Sequence, residues 1–360
     1  MRTEYFIALD THCSFSEMAV VTTSGKLLSR QTCETTIPAR GAAVESGRRP
    51  RRLTFEEGPL ADWLARNLTA HVDELVVCDP RRNHLIAKDS DKDDALDAEK
   101  LAHLFRGGYL KQVHQPQSLD RSLLKQHVNF YHDLVRNRVR QGHQLTAQLR
   151  RHGVFVAIAE LEDPDQQRRI FNRLPRRQVL RRSVEMLWEA YEQTLGHEHE
   201  ARLELMRLAR REEPVRRFEE LPGFGWIRAL TFYVYIDTPW RFPGKSALWR
   251  YCGLGLERRH SGAGPMNVRL SKQANRRLKN VLLGAAKSAI AQGDNPFADK
   301  YVTGFWRDCI RPRPVATWLA ARRRRCGACG EPATRTTRSW CVAAVGRRSR
   351  KARRTEPSGD

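Results

Sequence analysis

Two short apolar runs near the N-terminus each stop on a carboxylate, and this pairing limits the fold more than any other feature. YFIAL ends at Asp10, and LTF, Leu53 to Phe55, delivers Glu56. Runs this short, rich in aromatic and aliphatic residues and bounded by turn formers, read as strands rather than helices. Around them, EYFIALDTHCSFSEMAVVTTSGKLLSRQTCETT predicts a three-strand meander with SGK as a turn. RGAAVESGRRPRR is expected to be a loop, PLADWLARNL an amphipathic helix, and ELVVCDP a buried strand stopped by Pro80.

The next helix opens on a dense run of aspartates, KDSDKDDALDAEKLAHLF from Lys88 to Phe105. Acidic residues favour the first turn of a helix, where the macrodipole is positive. Asp91 and Asp93 read as solvated or capping, whereas Asp94 and Asp97 are three apart and project from one face. The order β-β-β-β-α-β-α resembles the ribonuclease-H-like fold, in which Asp10, Glu56, Asp94 and Asp97 converge on one edge of the sheet. Glu57 competes with Glu56 for its place. Four hard oxygen donors suit two Mg²⁺ ions roughly 3.5–4 Å apart.

These acids sit in a chain of 360 residues and formal net charge +23. The first 110 residues are nearly balanced, and the excess of Lys and Arg falls on the remainder. An acidic head on a basic body points to a metal-using domain beside a surface for polyanions. The length suggests two or three domains. No apolar run approaches the ~20 residues of a membrane span, and MRTEYFIALD lacks a signal-peptide pattern. Scattered cysteines, with one CxxC at Cys326 and Cys329, fit an intracellular protein with reduced thiols. The expected location is the cytoplasm of a bacterium, at the nucleoid.

Beyond the head the period becomes helical. Leu124, Val128, Tyr131, Val135, Leu145 and Leu149 mark one long helix between about Asp120 and Arg151, and Val184, Trp188, Tyr191 and Leu195 another between Arg181 and Arg211. A helical hairpin or coiled coil is the simplest arrangement. LPGFG, Leu221 to Gly225, resembles the turn of a helix-hairpin-helix element, where Gly223 and Gly225 let backbone N–H groups approach a phosphate. HSGAGPMNVRLSKQANRRLKN places Ser261 in a glycine-containing loop before a basic helix. Such a serine is usually structural and sometimes a nucleophile. Lys272, Arg276 and Arg277 suit phosphate contacts. The division expected is residues 1–112 as an α/β catalytic domain, 113–215 as a helical coiled-coil region, 216–308 as an all-α domain, and 309–360 as a basic, disordered tail.

ALDTH, FEEG, DKDDALDAEKLA, LPGFG, FPGKSALWRYCGLGL, SGAG and LSKQANRRLKNVLLGAA occur here in an order that resembles the DEDD transposases of the insertion-sequence 110/1111 family, themselves similar to Piv-type DNA invertases. The resemblance spans about residues 4–305. It implies a RuvC-like catalytic domain with Asp10, Glu56, Asp94 and Asp97 as its tetrad, and Ser261 as the nucleophile of the C-terminal transposase domain. It also implies Mg²⁺, assembly as dimers or tetramers, and a structured guide RNA that pairs with target and donor DNA. Two departures are Ala274, where the family usually has glycine, and a C-terminus that does not look helical. Two alternatives remain open on sequence: a RuvC-like Holliday-junction nuclease using water, and a nucleic-acid-binding transposase relic.

Overall fold

The computed structural model describes residues 4–83, 93–116, 118–259, 267–271 and 274–307. The chain divides into two compact units, residues 1–122 and 123–360. The expectations for Ser261, Lys272, the CxxC and the tail fall outside the described residues.

The first unit is built on a five-stranded sheet in the order β3-β2-β1-β4-β5. Its strands are β1 (Tyr5–Thr11), β2 (Phe15–Thr22), β3 (Leu27–Glu34), β4 (Arg51–Glu56) and β5 (Glu74–Cys78). The meander β1–β2–β3 is antiparallel, while β4 and β5 continue the sheet in parallel with β1. Three helices accompany it: α1 (Ile37–Glu45), α2 (Ala61–Leu68) and α3 (Asp94–Arg106).

Strand alternation sorts the side chains onto two covered faces. Ile7, Leu9, Leu53 and Phe55 pack with Val44 of α1 and with Leu64 and Leu68 of α2. Phe6, Ala8, Val21 and Cys78 face the other way and pack against Leu101, Ala102 and Phe105 of α3. Phe6 meets Phe105 edge to face at 5.6 Å between ring centroids. Burial on both faces explains why the central strand reads as an unbroken apolar run, and why β3, at the edge, is mostly polar and exposed.

The expected loop at RGAAVESGRRPRR is instead half helix. Thr36 caps α1 by accepting from the Ala39 N–H, and Pro38 sits in the first turn, where its missing N–H costs nothing. Arg40 is wholly buried and donates through Nη2 to Thr35 Oγ1 at 3.0 Å and to Ser16 Oγ. A buried arginine is rare, so its presence in this segment looked like surface. The observed element order is therefore β-β-β-α-β-α-β-α.

Among the described residues the second unit is helical apart from one hairpin. Its elements are α4 (Leu119–Arg150, which begins in the first unit), α5 (Pro164–Arg173), α6 (Gln178–Arg211), α7 (Glu213–Glu219), α8 (Trp226–Ile236), α9 (Lys245–Tyr251), β6 (Leu256–Arg259), β7 (Asn267–Leu270), α10 (Arg276–Gln292) and α11 (Pro296–Arg307). The strands β6 and β7 pair antiparallel, from Leu256↔Leu270 to Arg259↔Asn267. The expectation of an all-α region needs that amendment. LERR and NVRL carry too few apolar residues to announce strands.

Helices α4 and α6 each serve two cores. Leu145 and Leu149 pack with Val184, Trp188 and Tyr191 in one, and Val128, Tyr131 and Leu134 pack with Ala201, Leu205 and Ala209 in the other. Between these, Arg138 Nε donates to Glu198 Oε2 at 2.6 Å. The second core continues into α7, α8 and α10 through Phe218, Leu230, Phe232, Leu278 and Val281.

Three helices meet in a polar junction. Thr231 in α8 donates its hydroxyl to the Ile227 carbonyl at 2.6 Å, so its oxygen is left to accept from His132 Nε2–H, 2.9 Å away. Burial and the nearby Arg277 hold the His132 imidazole neutral, with a pKa lowered to about 4. Arg277 in α10 reaches Asn129 Oδ1 at 3.0 Å and Asp133 Oδ1 at 3.1 Å, both on α4.

In LPGFG the two glycines do different work. Gly223 has φ +81°, and a Cβ there would lie 2.1 Å from the Ala285 carbonyl oxygen in α10. Gly225 has φ −74°, heads α8, and a Cβ there would meet nothing within 4 Å. Gly223→Ala is expected to destabilise the protein by about 2 kcal/mol or more, from left-handed strain plus overpacking. Gly225→Ala should cost within about 1 kcal/mol. Urea unfolding of the two variants measures the contrast.

Candidate metal centre and nucleic-acid surface

The register of β1 and β4 builds the site. Ala8 pairs with Thr54 and Leu9 with Phe55. The next residues of each strand are Asp10 and Glu56, so both carboxylates end neighbouring parallel strands. By alternation both point to the face that α3 covers. Helix α3 begins at Asp94, and Asp93 caps it by accepting from the Ala95 N–H at 3.1 Å. Asp94 and Asp97 lie in its first turn.

Asp10 Oδ2 and Asp94 Oδ2 each lie 3.3 Å from His12 Nε2. One donor atom from each of these three residues falls within 4.8 Å of the other two. Burial raises the Asp10 pKa above its ordinary value; His12 opposes that rise, and the charges of Asp94 and Asp97 add to it. Burial likewise raises Glu56, with Asn83 opposing and Asp10 and Asp97 adding. Asp97 is thus near enough to act electrostatically on both strand-end acids. Among the described residues, Asp10, Asp94 and His12 are the donors close enough to share one ion, while Asp97 and Glu56 act on Asp10 and on each other through charge.

Glu56 is half-buried and accepts from Asn83 Nδ2 at 2.7 Å, whereas Glu57 is exposed. Asn83 is itself buried and also reaches Cys78 Sγ at 3.4 Å. On the other side of β1, Glu17 pairs with Asp10 across the strands, and its carboxylate accepts from Thr32 Oγ1 at 2.7 Å. A cavity of about 460 Å³ opens beside these groups, lined by Glu17, Thr32, Asp93, Asp94 and Ala95.

Carboxylates this close repel one another, and a cation would relieve that repulsion. The donors are hard oxygens, with one imidazole nitrogen between two of them, and a divalent ion satisfies such a set. His12, Asn83 and Glu17 were not singled out by sequence. For His12 the signal was available: it stands two residues past Asp10, on the same face by alternation. Asn83 had none, because it reaches Glu56 across 27 positions of sequence.

The structure uses Arg277 inside the fold, in the junction with α4, while Arg276 at the start of α10 is exposed. Gly223 packs against α10, and its carbonyl accepts from Arg228 Nη1 at 2.7 Å. Gly225 opens an open groove of about 640 Å³ that also holds Arg228, Ser288 and Asp294. The start of α8 has no side-chain cap.

A five-stranded mixed sheet with carboxylates on two adjoining strand ends and on the covering helix is consistent with a ribonuclease-H-like domain of the DEDD kind. Residues 7–154 match a family model described as a transposase of the DEDD, IS110 type, and residues 215–302 match the IS116/IS110/IS902 transposase family. The chain belongs to this family of transposases, enzymes that cut and join DNA. No curated protein matches it. No helix among the described residues is long and apolar enough to cross a membrane.

Because folding raises the Asp10 and Glu56 pKa values, their contribution to stability is greatest below the unfolded values and is lost as pH rises through the folded ones. Without metal at neutral pH, Asp10→Asn should therefore raise the melting temperature. In the parent, added divalent ion should do so, and the ion should have little effect on Asp10→Asn. Thermal melts with chelator and with Mg²⁺ check both.

Proposed function

We propose that this transposase is a recombinase of an insertion sequence, using Asp10, Glu56, Asp94 and Asp97 as a Mg²⁺-binding RuvC-like tetrad and Ser261 as its nucleophile. What supports the reading is placement: Asp10 and Glu56 stand at the ends of adjacent strands, Asp94 and Asp97 in the first turn of the helix on that face, and Asp10 and Asp94 are close enough to share an ion. The serine rests on the family resemblance. It lies outside the described residues, in the segment between Arg259 and Asn267, whose pairing ties both flanks together.

In this reading Ser261 Oγ attacks a DNA phosphorus. The Oγ–P bond forms, the P–O3′ bond breaks, and the proton lost from serine ends on the free 3′-oxygen. Bound Mg²⁺ would neutralise charge that builds on the phosphate. Asn83 holds Glu56 in place, and Asp93 fixes the start of α3 and so the pitch of Asp94 and Asp97. Exposed Arg276, together with Lys272 and the backbone at Gly225, would meet nucleic-acid phosphates. Arg277 and Gly223 would contribute by shaping that surface. The partners are the element ends, target DNA and a structured guide RNA, and the working form is a dimer or tetramer with residues 113–215 as a coiled-coil arm. The excess of basic residues supports binding to such polyanions.

Ser261→Ala should abolish covalent protein–DNA adducts on denaturing gels while leaving folding and RNA binding intact. Asp10→Asn or Asp97→Asn should lower strand cleavage about a hundredfold or more. DNA cut by the parent without adduct would mean water attack and a nuclease. DNA bound but never cut, with cognate junction and Mg²⁺ present, would mean a relic.

A further inference from the structure

His12 is placed with more care than a loop histidine needs. Its N–H donates to the Phe15 carbonyl at 3.0 Å, and its carbonyl accepts from Thr35 Oγ1 at 2.7 Å. Its ring lies against Phe15, with centroids 5.2 Å apart. Backbone and ring are therefore both held, and the held ring aims Nε2 between Asp10 Oδ2 and Asp94 Oδ2 at 3.3 Å from each. The side chain keeps 40% of its surface, so burial in a core does not explain its position. Nε2 is thus shared between two carboxylates, and all three donor atoms lie within reach of one ion.

We propose that His12 is a ligand of the divalent ion held by Asp10 and Asp94, and that it tilts this site toward first-row transition ions, Mn²⁺ among them, over Mg²⁺. The inference rests on the metal reading above. An imidazole nitrogen binds Mg²⁺ poorly, because that ion prefers oxygen and keeps its waters. It binds Mn²⁺ and the later first-row ions better. One nitrogen among oxygens therefore acts on the choice of ion more than on whether an ion binds. Asp10 and Asp94 make the site, and His12 sets its preference.

The test uses the full-length chain, freed of metal by chelation, with Mn²⁺ and Mg²⁺ as the probes. Pulsed electron paramagnetic resonance of the Mn²⁺ complex should show nitrogen-14 coupling in the parent and lose it in His12→Ala and His12→Gln. In titrations the two variants should bind Mn²⁺ about tenfold or more weakly, while Mg²⁺ binding stays within about twofold. Circular dichroism melts establish that the variants fold, and the mild His12→Gln change retains a polar side chain if His12→Ala does not. Persistence of the nitrogen signal in folded variants would overturn the proposal. So would equal weakening of both ions, or tighter binding of both, since His12 would then act on the cradle's charge alone. Failure of the parent to bind either ion would overturn the metal reading itself. Binding in the parent that is lost in Asp10→Asn, with no effect of His12, would sink only this inference.

Discussion

The parallel pairing of β1 with β4 is the constraint on which the first unit depends. An antiparallel neighbour would bring the start of one strand beside the end of the other. Parallel pairing brings two ends together, and here each carries an acid, Glu56 last in β4 and Asp10 next to last in β1. That arrangement is costly, since burial and mutual repulsion push Asp10 and Glu56 upward. It persists because the apolar contacts beneath it are far larger in sum. Ile7, Leu9, Leu53 and Phe55 on one face, and Phe6 and Ala8 against α3 on the other, hold the strands in register. Full burial of each large side chain is worth about 1.5–3 kcal/mol.

Much of this was legible because the relevant signals are local. Short apolar runs bounded by turn formers pointed to the strands, and the stripes Val128–Tyr131–Val135 and Val184–Trp188–Tyr191 to the long helices within three residues of their observed ends. The spacing of Asp94 and Asp97 was readable for the same reason. What stayed hidden depended on long-range contact. Helix α1 was obscured by Arg40, whose burial among Ser16 and Thr35 no local pattern reports. The hairpin β6–β7 has no apolar alternation. Asn83 acquires meaning only when folding carries it to Glu56. Ser261 drew its role from family resemblance, since a serine in a glycine-containing loop has no distinguishing pattern of its own.

The basic residues teach a related point. Arg277 and Arg276 are neighbours in sequence and equivalent in composition, yet helical geometry turns them about 100° apart. One is drawn into the bond with Asn129 and Asp133, and the other faces solvent. Net charge describes a surface only after such internal commitments are subtracted.

Helix α10 shows what those commitments do mechanically. Seventeen residues long, it spans about 25 Å. Near its first turn, Arg277 pins it to α4. Past its midpoint, the missing side chain of Gly223 lets the chain lie against Ala285 and Ala289 at backbone contact. A rod fixed at two points can neither roll about its axis nor slide along it. Load applied at one end is carried along the helix to the other. The helix behaves as a girder, and the absence of one methyl group is its rivet.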